Sequence, residues 1–514
     1  MNSTLLWTLV SLQIAMGAFD TLYHHEFTER LAWRATAHNE LKLHAVRNAL
    51  YGALFLTLAW SRPTGWLATL VILVLVTELL ITLWDFVEED LSRHLPASER
   101  VTHTLLALNY GGILVLLLPE LIAMAAQSTG LAPISYGFGS LLLTGSALAV
   151  TLFGIRDWFM SGRTERLVQT PGAPLVAVLP PHQRLLITGA TGFIGERLVA
   201  ALAAGGHDVT ALVRRPETAV KLTAPVRLIT RLDQIPNEAR YDAVINLAGE
   251  PVAGWLWTRA YRHRLLRSRI KTTRALVALM QRLDTKPAVL ISGSAVGIYG
   301  ERGDEQLSEV DTRGKGFAAG LCAAWENEAH KAAKLGVRVV RLRIGLVLGH
   351  EGGMLARMLP AFDLGLGGPI GTGRHWMSWI TRDDLVRLIA HAIVTPDIDG
   401  ALNATAPTPV RNSDYARALG RALRRPAVLP LPAWPLRQVL GPLADELLLG
   451  SQRVLPVKAE VTGFVFQHRE IGPALAQAVG SPSAAQHLHP QQNAAVAFPA
   501  CAPALPLRGS GAAQ

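Results

Sequence analysis

The chain has 514 residues, half of them hydrophobic, with a positive mean hydropathy and a formal net charge of +10. That length exceeds one ordinary domain and that apolar content exceeds a purely water-soluble enzyme, so part of the chain belongs in a lipid bilayer. The basic excess comes without an aromatic-interleaved basic patch, which argues against nucleic acid as a partner, and the two cysteines, Cys322 and Cys501, lack disulfide-framework or metal-ligand spacing.

Residues 1–160 read as a bundle of membrane helices, with apolar runs at Leu5–Phe19, Leu41–Trp60, Trp66–Trp84, Val101–Ala126 and Phe138–Phe153. The first and last are short, so the count is four or five spans. No Lys or Arg precedes the first run, which argues against a cleaved signal peptide. Arg30, Arg34, Lys42 and Arg47 follow the first run, Arg93 and Arg100 separate the third from the fourth, and Arg156, Arg163 and Arg166 close the fifth. The alternate connections hold only Arg62 or no charge at all. The positive-inside rule then places the N-terminus outside and the C-terminus in the cytosol of a multi-pass protein of the bacterial inner membrane.

The same segment carries three acid/histidine pairs at i,i+4: Asp20 with His24, Glu40 with His44, and Glu99 with His103. Each pair projects from one helical face. With that topology all three lie at the cytosolic side, as do Asp85 and Glu89. Imidazoles and carboxylates from several helices assemble non-haem iron, manganese or zinc sites. The other reading is a polar belt at the helix ends.

A polar, proline-bearing linker is expected over 161–183, followed by a nucleotide-binding domain over 184–402, a small C-terminal substrate or cap unit over 403–479, and a disordered Ala/Pro/Gln/Ser tail over 480–514 in which His487 and His489 are solvated. The strand Leu185–Thr188 runs into Gly189-Ala190-Thr191-Gly192-Phe193-Ile194-Gly195 and then a helix. Gly189 permits the tight turn, Gly192 admits a pyrophosphate, and Gly195 lets the helix pack on the strand; Thr191, Phe193 and Ile194 complete the cofactor-binding turn. The pyrophosphate sits on the helix N-terminus. The next strand, Asp208–Val213, ends in Arg214 and Arg215 where an NAD-preferring site places an acid, so the cofactor is read as NADP(H) in preference to NAD(H). Strands near Val209, Ala243–Leu247, Ala288–Ser292 and Val337–Arg343 alternate with helices, the pattern of a doubly wound parallel sheet. The fold class is thus α/β and Rossmann-like, with a small C-terminal subdomain, fused to an N-terminal α-helical transmembrane bundle.

Thr188–Gly195, Asn246–Pro251, Ser268–Arg274, Ser292–Gly300 and Gly367–Arg374, taken in order, resemble the extended short-chain dehydrogenase/reductases, and within them the NAD(P)-dependent epimerase-like proteins of unassigned substrate. The resemblance covers about 184–479; residues 1–160 resemble no known family. It implies that Ala248 and Gly249 lie beside the cofactor ribose and that Ser294 hydrogen-bonds a substrate hydroxyl or carbonyl. The superfamily's acid/base pair is Tyr with Lys four residues on, and here Phe317 and Leu321 occupy those places. Phenylalanine carries no proton. Tyr299, Glu250, Cys322, Glu326 and Arg374 are the available substitutes, each with an ordinary structural reading beside it; Trp376 and Trp379 are either a substrate wall or core.

The sequence therefore reads as a membrane-tethered NADP(H)-binding epimerase or oxidoreductase. Its substrate is a small molecule bearing a hydroxyl or carbonyl, and the tether makes a lipid-linked form one candidate. The alternative is an NADPH/NADP⁺ sensor or electron-supplying domain that controls a metal-bearing membrane module. No motif sets the oligomeric state.

Overall fold

In the computed structural model, residues 4–482 are described apart from 94, 168–169, 216–218, 220–221, 223–224 and 253–255. The expected tail beyond 482, with His487, His489 and Cys501, lies outside the described residues. Its first two residues do not behave as a tail: Ser481 is buried, and the Gly480 carbonyl accepts a hydrogen bond from Arg166.

The N-terminal module consists of α1 (Thr4–Phe19), α2 (His38–Trp60), α3 (Trp66–Ser92), α4 (Ala97–Ala125) and α5 (Phe138–Arg166). Four helical stretches, Thr4–Trp33 and α3 to α5, are long and apolar enough to cross a membrane. The fifth helix, α2, has Glu40, Lys42, His44 and Arg47 in its first half. It lies against α5 at small residues: a Cβ at Gly154 would come within 2.9 Å of the Asn48 Cβ and 3.1 Å of the Ala45 carbonyl. Close backbone approach of this kind is how helices associate in lipid. A two-stranded antiparallel ribbon, β1 (Ser61–Thr64) with β2 (Gly130–Pro133), ties the α2–α3 and α4–α5 connections together at one end. The basic connections lie at the other.

Between α1 and α2 the chain forms a nine-residue π-helix, Asp20–Thr28. Its hydrogen bonds run i to i+5, so Asp20 keeps the expected pairing with His24 at 2.8 Å and meets His25 as well at 3.4 Å.

The second module has, in chain order, β3 (Arg184–Thr188), α6 (Phe193–Ala204), β4 (Asp208–Leu212), β5 (Arg227–Ile229), β6 (Ala243–Asn246), α7 (Arg259–Arg282), β7 (Val289–Ala295), β8 (Gln306–Leu307) and α8 (Phe317–His330). Then follow β9 (Arg338–Ile344), β10 (Leu346–Leu348), α9 (Gly353–Asp363), β11 (Trp376–Met377), β12 (Trp379–Thr381), α10 (Arg382–Val394), β13 (Gly400–Ala404) and α11 (Asn412–Leu423). Seven strands form one parallel sheet in the order β13-β9-β7-β6-β3-β4-β5. Leu185, Ile187, Ala243, Ile245, Val289 and Ile291 are fully buried, as strands covered by helices on both faces must be. Strand order reverses between β3 and β6, which puts the ligand crevice above their carboxyl ends.

Two expected boundaries move. The sheet runs through Ala404, so residue 402 falls inside β13 rather than between units. The span 161–183 is not a free linker: α5 continues to Arg166, and Leu175, Val176 and Leu179 are buried in the core beside α6.

The modules share an apolar core. Leu31, Trp33, Leu41, Met160 and Leu167 pack with Leu355, Leu359 and Phe362 of α9, Tyr415 and Leu419 of α11, and Leu475. Around it, Arg163 holds Asp363 through two hydrogen bonds of 2.9 and 3.2 Å and stacks on the Trp33 ring at 4.5 Å, while Arg30 donates to the Ala356 carbonyl at 2.7 Å.

Candidate functional site

The turn after β3 has the form that the glycine spacing predicts. Gly189 adopts φ +75° and has no room for a side chain, since a Cβ would sit 2.6 Å from the Leu247 carbonyl. At Gly195 a Cβ would run into the Gly189 carbonyl oxygen. Gly192 differs in degree: it is exposed, and a Cβ there would make a tight 3.2 Å contact with the Gly189 carbonyl oxygen that a small shift relieves. An exposed glycine at a helix N-terminus is what close approach of a pyrophosphate requires. Thr191 and Ile194 complete the turn, and the Phe193 ring lies under Gly349, Gly352 and Gly353, the loop that enters α9.

The floor of the crevice is a chain of hydrogen bonds: Thr188 donates to Asn246 at 2.7 Å, and Asn246 donates to Thr273, which also accepts from the Trp325 indole. Beyond β4, Arg214 is exposed and its guanidinium lies 3.6 Å from the Glu250 carboxylate. Arg215 is exposed beside it. Ala248 and Gly249 follow β6, and Gly249 faces Arg269, whose guanidinium carbon would lie 2.9 Å from a Cβ there. Arg269 is buried, stacks on the Trp325 ring at 5.1 Å and donates to the Glu250 carbonyl. Sequence reading placed it in a motif but gave it no role. The signal was an Arg on the buried stripe Tyr261, Leu265, Arg269, Thr273, Leu276 of α7.

The expected catalytic residues are placed differently from expectation. Ser294 is 3% exposed and donates its hydroxyl proton to Glu326 at 2.7 Å. Glu326 is also held by Arg343 through bonds of 3.0 and 3.1 Å. The proton that Ser294 was expected to lend a substrate oxygen is therefore committed to a buried carboxylate. Tyr299 is fully buried; its hydroxyl accepts from Arg343 at 2.8 Å and lies 2.7 Å from the Asn403 side-chain oxygen and 2.8 Å from the Ser308 carbonyl. Burial pushes its pKa up to about 12. Both features remove Tyr299 from proton exchange with a ligand at neutral pH. Cys322 is buried too, with its thiol pushed up to about 11 by desolvation, so it is no nucleophile there.

Phe317 opens α8, in edge-to-face contact with Trp257 and beneath Arg262. Leu321 is buried with Trp257, Tyr261, Leu265 and Leu443. An ammonium group at that place would be buried in an apolar cluster. Glu446, from the C-terminal unit, accepts hydrogen bonds from the backbone N–H groups of Phe317 and Ala318 at 3.0 and 2.7 Å and so satisfies the start of α8. Beside it lies a cavity of about 310 Å³ lined by Gly297, Glu301, Lys315, Ala318, Arg437 and Glu446. Sequence reading named none of these charged residues. They come from separate segments that only the folded C-terminal unit brings together.

Arg374 is exposed on the loop before β11. Trp376 is sandwiched between the guanidiniums of Arg411 and Arg453, at 4.2 and 4.4 Å, and Trp379 is core, its indole bonded to the Thr408 carbonyl.

In the N-terminal module the expected pairs are regrouped. Glu40 and Glu99 both hold Arg93, through bonds of 2.9 and 2.7 Å. His24 Nδ1 is 2.8 Å from Asp20. The atoms that converge belong instead to Asp20, His25, Glu99 and His103, and to His25, His44 and Glu89. His24 and Glu40 fall outside both groups, and His25 enters because the π-helix turns Asp20 and His25 to one side.

Residues 185–403 match the NAD dependent epimerase/dehydratase family, and residues 431–478 match a domain of unknown function, DUF1731. An epimerase family protein of Mycobacterium bovis is 41% identical over 304 residues, covering 58% of this chain and 97% of its own length. A chloroplastic epimerase family protein of Arabidopsis thaliana is 39% identical over 322 residues, 60% of this chain and 92% of that one. The crystal structure of the human epimerase family protein SDR39U1 with NADPH is 32% identical, with a TM-score of 0.53, over 58% of this chain and 99% of that one. Both family models match within the second module.

Proposed function

The chain belongs to the NAD-dependent epimerase/dehydratase family, and from that premise we propose a membrane-tethered NADP(H)-binding epimerase or oxidoreductase that acts on a small molecule with a hydroxyl or carbonyl group. The observation that carries this reading is the Gly189–Gly195 turn at the β3/β6 switch point, with Gly192 exposed at the helix N-terminus. NADPH in the human relative and the two arginines after β4 support NADP(H) over NAD(H). The cofactor would bind across Gly189, Thr191, Gly192, Ala248 and Gly249, and its nicotinamide supplies hydride transfer.

The residues of this chain do the rest. Arg214 and Arg215 meet the 2′-phosphate with charge-assisted hydrogen bonds. The wall formed by Ser294, Glu326 and Arg343 fixes the end of β7. With Phe317 and Leu321 in the usual acid/base places, proton transfer falls to groups that face the 310 Å³ cavity, Glu301 and Lys315, beside the Glu446 carboxylate that caps α8. The apolar helices and the distribution of Lys and Arg support an inner-membrane location with this site in the cytosol. Tethering brings a lipid-linked substrate within reach.

A second reading rests on two other observations. The Tyr and Lys are missing, and Phe193 of the nucleotide turn touches the loop into α9, which docks on the membrane module. In this reading the domain senses or spends NADPH for a metal centre built from the His/carboxylate groups. Stereospecifically deuterated NADPH, supplied to the full chain with a panel of hydroxyl and carbonyl metabolites, separates the two. Deuterium in a product supports the enzyme; tight binding with no transfer to any metabolite supports the sensor.

A further inference from the structure

The His/carboxylate cluster has the composition of a metal centre in its detail. Asp20, His25, Glu99 and His103 each offer one ligand atom, all within 4.8 Å of one another, and His25, His44 and Glu89 form an adjoining group. His25 Nε2 is buried 3.4 Å from Asp20 and 3.5 Å from Glu99, and has no hydrogen bond to either. The His25 and His44 rings are stacked 4.7 Å apart and nearly parallel, an arrangement that disfavours charging both. Five carboxylates are buried here, Asp20, Glu40, Asp85, Glu89 and Glu99; Arg47 and Arg93 reach them, and His44 and His103 lie against Asp85, Asp20 and Glu89 at 3.1 to 3.3 Å. A bound cation would take the place of imidazole protons in balancing this charge. Two imidazoles with two carboxylates suit a first-row transition ion.

The cluster is not sealed. Asp20, Glu89 and His103 form one end of a cavity of about 320 Å³, whose walls include Ile14, Phe55 and Val150 from deeper in α1, α2 and α5. Phe86, Glu89, His103 and Ala107 also line a groove between α3 and α4. Of the four candidate ligands, Asp20 and His103 therefore line the cavity, and His103 lines the groove as well, among helices apolar enough to face lipid. Gln13, Asn48, Tyr51 and Tyr110 also line the cavity, so a ligand there meets polar side chains along the walls as well as the carboxylates and imidazole at one end.

Resting on the metal reading above, we propose that this cavity is a second ligand site, distinct from the nucleotide crevice. It takes a hydrocarbon-chain molecule whose oxygen-bearing head group ligates the metal. Asp20, His25, Glu99 and His103 hold the ion, and Ile14, Phe55 and Val150 bind the chain.

The test uses the full chain in lipid nanodiscs, loaded with Co²⁺ as a spectroscopic stand-in and analysed for bound metal. Acetohydroxamate and decanoyl hydroxamate, which share a chelating head and differ in tail, are then titrated against the cobalt absorption bands. Cobalt is expected to be retained, with the longer probe acting at concentrations at least about tenfold lower because it buries its methylenes. Ile14→Trp should fill the cavity, removing the tail's advantage while leaving acetohydroxamate unaffected. If neither cobalt nor iron, manganese or zinc is retained by the wild-type chain, the metal reading falls and this site with it. If metal is retained and the two probes act at equal concentrations, or the tail's advantage survives Ile14→Trp, the metal reading stands and the cavity assignment is overturned.

Discussion

Ser294 donates to Glu326 at 2.7 Å, and Glu326 in turn is gripped by Arg343, which also reaches Tyr299. Both residues expected to do chemistry thus belong to one buried network behind the crevice. Such a network fixes the end of β7, and its members are unequal. Ser294→Ala removes one hydrogen bond and leaves the ion pair, a cost of about 1 kcal/mol. Glu326→Gln leaves Arg343 buried without its counter-charge, a cost of about 3–5 kcal/mol. Denaturant unfolding of the detergent-solubilised chain measures both; equal losses would show that Ser294 is not a minor member.

The two glycines of the nucleotide turn make a sharper pair. Gly195→Ala drives a methyl into the Gly189 carbonyl and should disrupt the turn and lower the melting temperature. Gly192→Ala makes only a tight 3.2 Å contact with the Gly189 carbonyl oxygen, so the protein should lose less stability than Gly195→Ala and lose NADPH affinity, because the methyl occupies the space of the pyrophosphate. Thermal unfolding alongside NADPH fluorescence titration distinguishes them. A Gly192→Ala chain that binds NADPH normally would remove the cofactor assignment from this turn.

Arg214 is largely exposed at the end of β4, and among the described residues its ion pair is a 3.6 Å contact with Glu250. It is free to turn toward a 2′-phosphate. Arg214→Asp should weaken NADPH binding by about 1.5–3 kcal/mol, the worth of a hydrogen bond to a charged group, and leave NADH binding little changed. Equal losses for both cofactors would mean that the arginine does not read the phosphate.

What the sequence made legible follows from the range of the interactions involved. The turn Gly189–Gly195 and the parallel sheet are local patterns, readable because a strand, three glycines and a helix come within about twenty residues of one another. Glu446 and Lys315 could not be read in that way, because 131 positions separate the residues that meet beside α8 and nothing local marks either one. The N-terminal His/carboxylate residues lie near one another, in groupings other than the expected ones. An α-helical period assigned His24 to the site, and the π-helix at Asp20–Thr28 substituted His25. Glu40 was likewise misassigned, because its true partner, Arg93, lies on the connection after α3.

Histidines outside the membrane helices set a pH dependence. His350 is buried with Nδ1 3.0 Å from the Ala478 carbonyl, and burial holds its pKa below the ordinary histidine value. Burial lowers His207, His375 and His391 as well. In each case the unfolded chain takes up a proton at a pH where the folded chain does not. Stability is therefore full above the ordinary histidine pKa, and declines as pH falls below it until the folded value is passed. Unfolding midpoints should drop between about pH 7 and pH 5.5, and His350→Gln should flatten the slope. A slope unchanged in that variant would show that His350 does not contribute.

Arg163, in the last turn of α5, stacks on Trp33 within the N-terminal module and pairs with Asp363 at the end of α9 across the module boundary. Because α9 follows the loop that covers Phe193, a change at Arg163 is felt along the path to the nucleotide turn. Arg163→Ala should leave the membrane helices and the sheet intact and loosen their contact, seen as faster hydrogen exchange in Gly353–Asp363 and Leu31–Trp33. Asp363→Asn alone should do part of this, and the double variant should lose less than the sum, with a coupling of roughly 0.5–3 kcal/mol. Under the sensor reading, NADPH should slow exchange in the N-terminal module of the wild type and fail to do so in Arg163→Ala. If NADPH protects that module equally in both, the signal does not pass through this contact; if it protects neither, the two modules are joined without being coupled.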